Sequence, residues 1–171
     1  MSLHEKSIEL LNRAVADEIQ AIHQYMYFHF HCDDQGYDPL SLLFRRIAIE
    51  EMLHAERLAE RILFLKGDVV MVASGPVQAI HDVHQMLDTA MGMELGAVRL
   101  YNQMANECAA NADSGSKQVF ESLVADEERH YDQFETLKEN VQRFGEQFLA
   151  LQSMERSRAL ASAPGPGPSP A

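Results

Sequence analysis

The chain has 171 residues, 46 % hydrophobic and 23 % charged, with a formal net charge of −12. That length is enough for one domain with a sizeable core, and the acidic balance argues against a nucleic-acid partner while suiting cationic ligands. Two cysteines, Cys32 and Cys108, are too few for a disulfide scaffold; with no signal-peptide core and no membrane-length apolar run, the expectation is a cytoplasmic protein without a membrane partner.

From Ser2 to about Cys32 there is neither proline nor glycine. Leu10, Leu11, Ala14, Val15, Glu18, Ile22 and Tyr25 recur at helical spacing, which predicts a first helix with Glu18 on its apolar face. DDQGYDP is loop chemistry, with Asp38 the expected N-cap and Pro39 the first residue of a second helix. That helix runs to about Lys66 and stops at Gly67-Asp68; its Glu51 and His54 stand three apart, a turn apart on one face.

DVVMVASGPVQAI follows, a connection of about a dozen residues, longer than most helix–helix loops and of the length that carries one helix pair over to another. Val69, Val70, Met71 and Val72 have strand composition, but an apolar strap along a bundle is the expected form. A third helix, Ala79 to Asn111, carries Glu94; NADSGS breaks it, and a serine or aspartate there caps a fourth, Lys117 to Phe144, which carries Glu127 and His130. Gly145 ends the fourth helix, and Glu146 to Ala161 forms a short fifth. The reading is an all-α bundle domain over residues 1–160 and a Pro/Gly-rich tail over 161–171, extended or disordered on composition. Helices of about 30 residues are about 45 Å long and pack side by side as a four-helix bundle, with the long crossover between helices two and three.

Within this frame one spacing occurs twice. Glu18 is followed 33 positions later by Glu51 and then, three on, by His54; Glu94, Glu127 and His130 repeat the pattern at an offset of 76. Tyr25 and Tyr101 repeat at the same offset. A single Glu-x-x-His is a common surface pair, but two of them, each preceded by a matched glutamate, place four carboxylates and two imidazoles at one level of the core. Four buried carboxylates repel one another unless cations neutralise them, and two divalent ions bring +4. Mixed oxygen and imidazole donors suit iron or manganese, with zinc as a competitor. Tyr25 and Tyr101 are either bonded to ligand carboxylates or ordinary buried tyrosines with satisfied hydroxyls.

The stretches LNRAVADEIQAIHQYMYF, IAIEEMLHAERLAERILFLKG, MGMELGAVRLYNQM and VADEERHYDQFETL resemble the bacterioferritin family, across about residues 5 to 155. Rubrerythrins share the symmetric set but add a cysteine-rich iron domain, which two cysteines cannot build. The resemblance implies a ferritin-like fold whose six residues form a di-iron ferroxidase centre with Glu51 and Glu127 bridging. It also implies Fe(II) oxidation by oxygen or peroxide, ferric mineral stored in a 24-subunit cage of dimers, and an electron donor such as a ferredoxin or rubredoxin.

A b-type haem, or a related iron porphyrin, would be shared between two subunits and held by Met52 from each. Met52 follows Glu51 and so points away from the metal level, beside Ile49, Leu53 and a helix-one stripe of Ile19, His23, Met26 and Phe30. A plain dimer interface is the alternative reading of that stripe. Position 46, where a histidine helps carry iron inward in some relatives, is Arg46, with Glu50 a turn later, and there is no tryptophan. His81 and His84 are expected to be solvated. Two other functions fit the same residues: a di-iron peroxidase without storage, and a haem-binding electron-transfer cage with a structural metal site.

Overall fold

The computed structural model describes residues 4–162; the tail from 163 onward lies outside them. Five helices follow in order: α1 (Glu5–Asp34), α2 (Asp38–Phe64), α3 (Val83–Ala110), α4 (Ser114–Phe144) and α5 (Gln147–Ser162). Among the described residues no strand forms, and no helix is long and apolar enough to cross a membrane. The pairs α1/α2 and α3/α4 are joined by short turns, and each pair packs along its length.

The helix ends show where local signals prevailed and where tertiary contacts did. Asp113 caps α4, its side chain accepting from Ser116 N at 3.1 Å, so α4 begins three residues earlier than its expected start. Arg61 of α2 donates to the same carboxylate at 2.5 Å, and a Cβ on Gly115 would come within 2.6 Å of that guanidinium, so a side chain there would push Arg61 off its present position. Asp38 does not cap α2. The N-cap is Tyr37, which makes no side-chain cap bond, and Asp38 N donates to Ser153 Oγ of α5 at 3.1 Å. A tertiary partner thus takes over what a local cap would have done. Gly145, at φ 74°, ends α4 and turns the chain into α5.

The crossover, residues 65–82, is a strap laid along α1, and it is longer than the expected one, because α2 ends two residues earlier and α3 starts four residues later. α3 starts at Val83 because Asp82 caps it, accepting from Gln85 N at 2.9 Å. The preceding residues are held out straight by side-chain amides of α1. Asn12 Nδ2 donates to Asp68 O at 2.9 Å and its Oδ1 accepts from Val70 N at 2.8 Å. Gln24 makes the same double contact with Gln78, at 3.0 and 2.7 Å, and Gln20 Nε2 reaches Pro76 O at 2.9 Å. Those bonds follow α1 in its own direction, so the strap returns the chain to the far end before α3 descends antiparallel to α1.

The core has two apolar blocks. Leu11, Val15, Leu58, Ile62, Met104, Phe120 and Leu123 belong to one; Phe28, Phe44, Ile47, Met86, Leu87 and Phe134 belong to the other. On all four long helices the polar residues Glu18, Glu51, Glu94 and Glu127 fall in sequence between members of the two blocks, buried at 1–2 % exposure.

Candidate metal centre

Each of the four long helices contributes one buried glutamate, and α2 and α4 add His54 and His130 one turn further on. The structure gathers the six into two overlapping sets. Glu18, Glu51, His54 and Glu127 offer donor atoms that all lie within 4.8 Å of one another, and so do Glu51, Glu94, Glu127 and His130. Glu51 and Glu127 belong to both.

The atoms explain the overlap. His54 Nδ1 lies 2.8 Å from Glu51 Oε2, 3.1 Å from Glu127 Oε1 and 3.7 Å from Glu18 Oε1. His130 Nδ1 lies 3.1 Å from Glu51 Oε1, 3.2 Å from Glu127 Oε2 and 3.6 Å from Glu94 Oε2. Each of the two central carboxylates therefore turns one oxygen to each histidine, while Glu18 and Glu94 serve one side apiece. The imidazole centroids are 5.6 Å apart.

Outer partners orient these groups. Tyr101 Oη donates to Glu18 Oε1 at 2.5 Å, and Tyr25 Oη donates to Glu94 Oε1, each from the opposite helix pair. His130 Nε2 is 2.9 Å from Glu50 Oε2, and His54 Nε2 is 3.3 Å from Asp126 Oδ2. A carboxylate only accepts, so each Nε2 carries the proton and each Nδ1 is aimed at the centre, the tautomer a metal ligand needs. Glu50 and Asp126 were not among the predicted site residues. Their signal was in the repeat, since they too are 76 apart and each precedes its half's central glutamate.

The electrostatics describe a site that gathers positive charge. Burial, reinforced by the charges of Glu51 and Glu127, pushes Glu18 and Glu94 well above the usual carboxylate range. For His54 burial is the largest single effect and pulls downward, but the adjacent carboxylates of Glu127, Glu18 and Glu51 together outweigh it and raise the imidazole to about 12. His130 is raised in the same way by Glu127, Glu51 and Glu94. Burial opposes ionisation of Glu127 too, yet the two imidazoles hold it down at about 2. Protons thus do in this core what two divalent cations would do. Three buried atoms on the His54 side, His54 Nδ1, Glu51 Oε2 and Glu127 Oε1, make no hydrogen bond. Unpartnered buried donors of this kind, converging at ligand distance, fit a metal pair.

A cavity of about 500 Å³ between α1 and α3 reaches the centre, with Glu18, Glu51, Glu94 and Glu127 among its walls and Arg13 and Arg99 also lining it. A Cβ at Gly92 or Gly96, on its α3 side, would meet nothing within 4 Å.

The remaining predicted residues stand elsewhere. Met52 is 53 % exposed on the outer face of α2, with Ile49 and Leu53 of the same helix also exposed; Phe30 of α1 is exposed too, but the His29–Ser41 contact places it near the start of α2, away from Met52. The helix-one stripe is narrower than expected: Ile19 is buried in the core and Met26 packs against it, because the α1/α2 contact is wide enough to absorb both. Arg46 bonds Gln133 and lies 3.8 Å from Glu50. His81 is exposed, as expected, but its ring bonds Tyr27 Oη at 2.8 Å and lies against His31. Cys32 and Cys108 are buried and unpaired.

The family model of the ferritin-like domain matches residues 8–144. A bacterioferritin from Rhodobacter capsulatus is 37 % identical over 147 residues, 85 % of this chain and 91 % of that one. Another, from Desulfovibrio desulfuricans, is 34 % identical over 145 residues, 85 % and 81 % of the two chains. The solved structure of the Desulfovibrio protein, studied with its diiron site in different catalytic states, superposes with a TM-score of 0.84 at 30 % identity over 99 % of this chain and 94 % of that one. That of the Rhodobacter protein, which has a metal-free dinuclear site and a haem iron on a crystallographic special position, gives 0.81 at 34 % identity over 95 % and 97 %. By sequence, fold and the four-carboxylate, two-imidazole core alike, the chain belongs to the bacterioferritins of the ferritin-like family.

Proposed function

We propose that this protein oxidises Fe(II) at a dinuclear centre held by Glu18, Glu51, His54, Glu94, Glu127 and His130, and stores the product inside a homo-oligomeric cage. The observation that carries the reading is the division of Glu51 and Glu127, each with one oxygen toward His54 and one toward His130. A single-metal site has no use for that symmetry. Glu18 with His54, and Glu94 with His130, complete one subsite each. Iron(II), the substrate, gives up its electrons here to an oxidant of the oxygen or peroxide class.

The protein's own part is charge and geometry. The two bridging carboxylates hold the ions close together, and the Tyr101 and Tyr25 hydroxyls keep Glu18 and Glu94 aimed inward. Burial keeps the donor set out of water, so the carboxylate field is weakly screened. The cavity between α1 and α3 is wide enough for a small oxidant or a hydrated ion.

We assign the haem site to Met52. A thioether is a soft ligand suited to haem iron, and here it stands exposed on α2 with the apolar side chains of Ile49 and Leu53, a face that a flat macrocycle and a second subunit would cover. The haem iron of the Rhodobacter relative, lying on a crystallographic special position, supports a site shared across a symmetry axis. A cytoplasmic location and a small iron–sulfur or rubredoxin-type electron donor complete the reading.

The test is aerobic loading of the metal-free protein with Fe(II), with particle mass and iron content measured together. A store takes up far more iron than two ions per chain and elutes as a large assembly. Uptake that stops at two per chain would favour a di-iron peroxidase, and haem without iron uptake would favour an electron-transfer cage.

A further inference from the structure

The 76-residue repeat continues past the six ligands and then breaks at one informative position. Glu50 and Asp126 obey it, and each reaches across the bundle to the other half's histidine, at 2.9 and 3.3 Å. Positions 53 and 129, each one residue before a histidine of the set, are also 76 apart, but they are Leu53 and Arg129. Arg129 donates from Nη1 to Glu50 Oε2 at 2.8 Å and from Nη2 to Asp126 Oδ1 at 3.1 Å. Other guanidiniums touch one carboxylate each: Arg57 lies 3.5 Å from Asp126 and Arg46 3.8 Å from Glu50. Among the described residues only Arg129 contacts both.

We propose that Arg129 is a positioning residue that ties the orientation of His54 to that of His130, so that the two metal subsites form as one unit. The inference rests on the metal-centre reading above. Each outer carboxylate accepts the Nε2 proton of its histidine, which fixes the ring and aims Nδ1 at the centre. The planar guanidinium fork spans two carboxylates at set geometry, so with Arg129 in place neither can swing without the other. Arg129 is 46 % exposed, and an ion pair that open contributes little to the fold. What it controls is the aim of the rings.

The test is a Co(II) titration of metal-free, full-length protein, reading visible d–d absorption, stoichiometry and affinity, with apo melting followed in parallel. The variants are Arg129→Leu, Arg129→Lys and Arg57→Leu. Wild type is expected to take two ions per chain. Arg129→Leu weakens both by about tenfold, the scale of losing an outer partner, and alters the cobalt spectrum while the apo protein melts as before. Arg129→Lys behaves like Arg129→Leu, because a single ammonium keeps the charge but lacks the fork. Arg57→Leu, which leaves that fork in place, weakens binding less than Arg129→Leu, since of the two outer carboxylates Arg57 contacts Asp126 alone, at 3.5 Å. A wild-type isotherm and spectrum in Arg129→Leu overturn the proposal, and so does full rescue by Arg129→Lys, which would reduce Arg129 to a charge. Wild-type protein that binds no Co(II) overturns the metal-centre reading itself and this proposal with it.

Discussion

Glu18 and Glu94 each face one histidine only, and each is held by a tyrosine from the other helix pair. Tyr101→Phe removes the hydroxyl that bonds Glu18 at 2.5 Å and leaves the ring in place. The expected result is a fold that melts nearly as wild type and a metal affinity lower by about 10- to 100-fold at the Glu18 side, measured by competition with a chelator. Glu127 is different, since it faces both histidines. Glu127→Ala should lower the rate of Fe(II) oxidation by more than that factor while particle mass is unchanged; stopped-flow absorbance of the ferric product and size exclusion check the two halves of the prediction. A wild-type rate in that variant would remove Glu127 from the centre. The spacing of 33 and 3 made all six of these residues legible, whereas Glu50 and Asp126 obey the offset of 76 but, as acids on long helices, read as surface residues until their partners across the bundle are known.

On the scale of elements, Asp113 joins the start of α4 to the end of α2. Burial resists its ionisation, but the hydrogen bonds from Ser116 and Arg61 outweigh that and hold the carboxyl below its ordinary value. A group depressed in the folded state adds stability above its unfolded value, about 3.9, and loses it as the pH falls toward the folded one. Asp113→Asn should therefore melt below wild type by a constant margin between pH 5 and 7, and the margin should shrink below about pH 4. Asp113→Ala, which loses the cap and strands Arg61, should cost about 2–4 kcal/mol near neutrality. The strap offers a second test. Asn12→Ala removes both bonds to residues 68 and 70, should cost about 1 kcal/mol, and should speed hydrogen exchange at Val70 ahead of the helices. An unchanged Val70 exchange rate would mean that Asn12 does not hold this end of the strap.

For the whole molecule the metal centre is also a stability element. Four buried carboxylates and two raised imidazoles surround the place where a cation pair fits, so metal binds the folded state far better than the unfolded one. At a free metal concentration 100 times the dissociation constant the gain is about 2.7 kcal/mol, and calorimetry of stripped and reloaded protein should show the higher melting temperature on loading. The outer apolar patch makes a separate prediction. Met52→Leu keeps the side chain's size and apolar character, so assembly should survive, while haem absorbance is lost and Fe(II) oxidation is largely retained, since Met52 faces away from the centre. Haem bound at the wild-type level in Met52→Leu would overturn the assignment of that residue.

Helical periodicity and a repeat of 76 are one-dimensional properties, and from them alone follow the four long helices, their apolar faces and the level at which the four glutamates and two histidines meet. The sequence also carried the family, through motifs spread along most of the chain. Tertiary structure alone decided that Tyr37 rather than Asp38 stands at the N-cap of α2, because Ser153 of α5 satisfies Asp38 N from 115 residues away. It decided that the strap runs to Asp82, because amides of α1 hold its backbone straight, and that Ile19 and Met26 face the core. Above all it decided the crossing pattern, in which each half's tyrosine and outer acid hold the other half's ligands and Arg129 joins the two. Those contacts span about 70 to 80 residues, and only packing the two helix pairs together brings such positions within hydrogen-bonding distance.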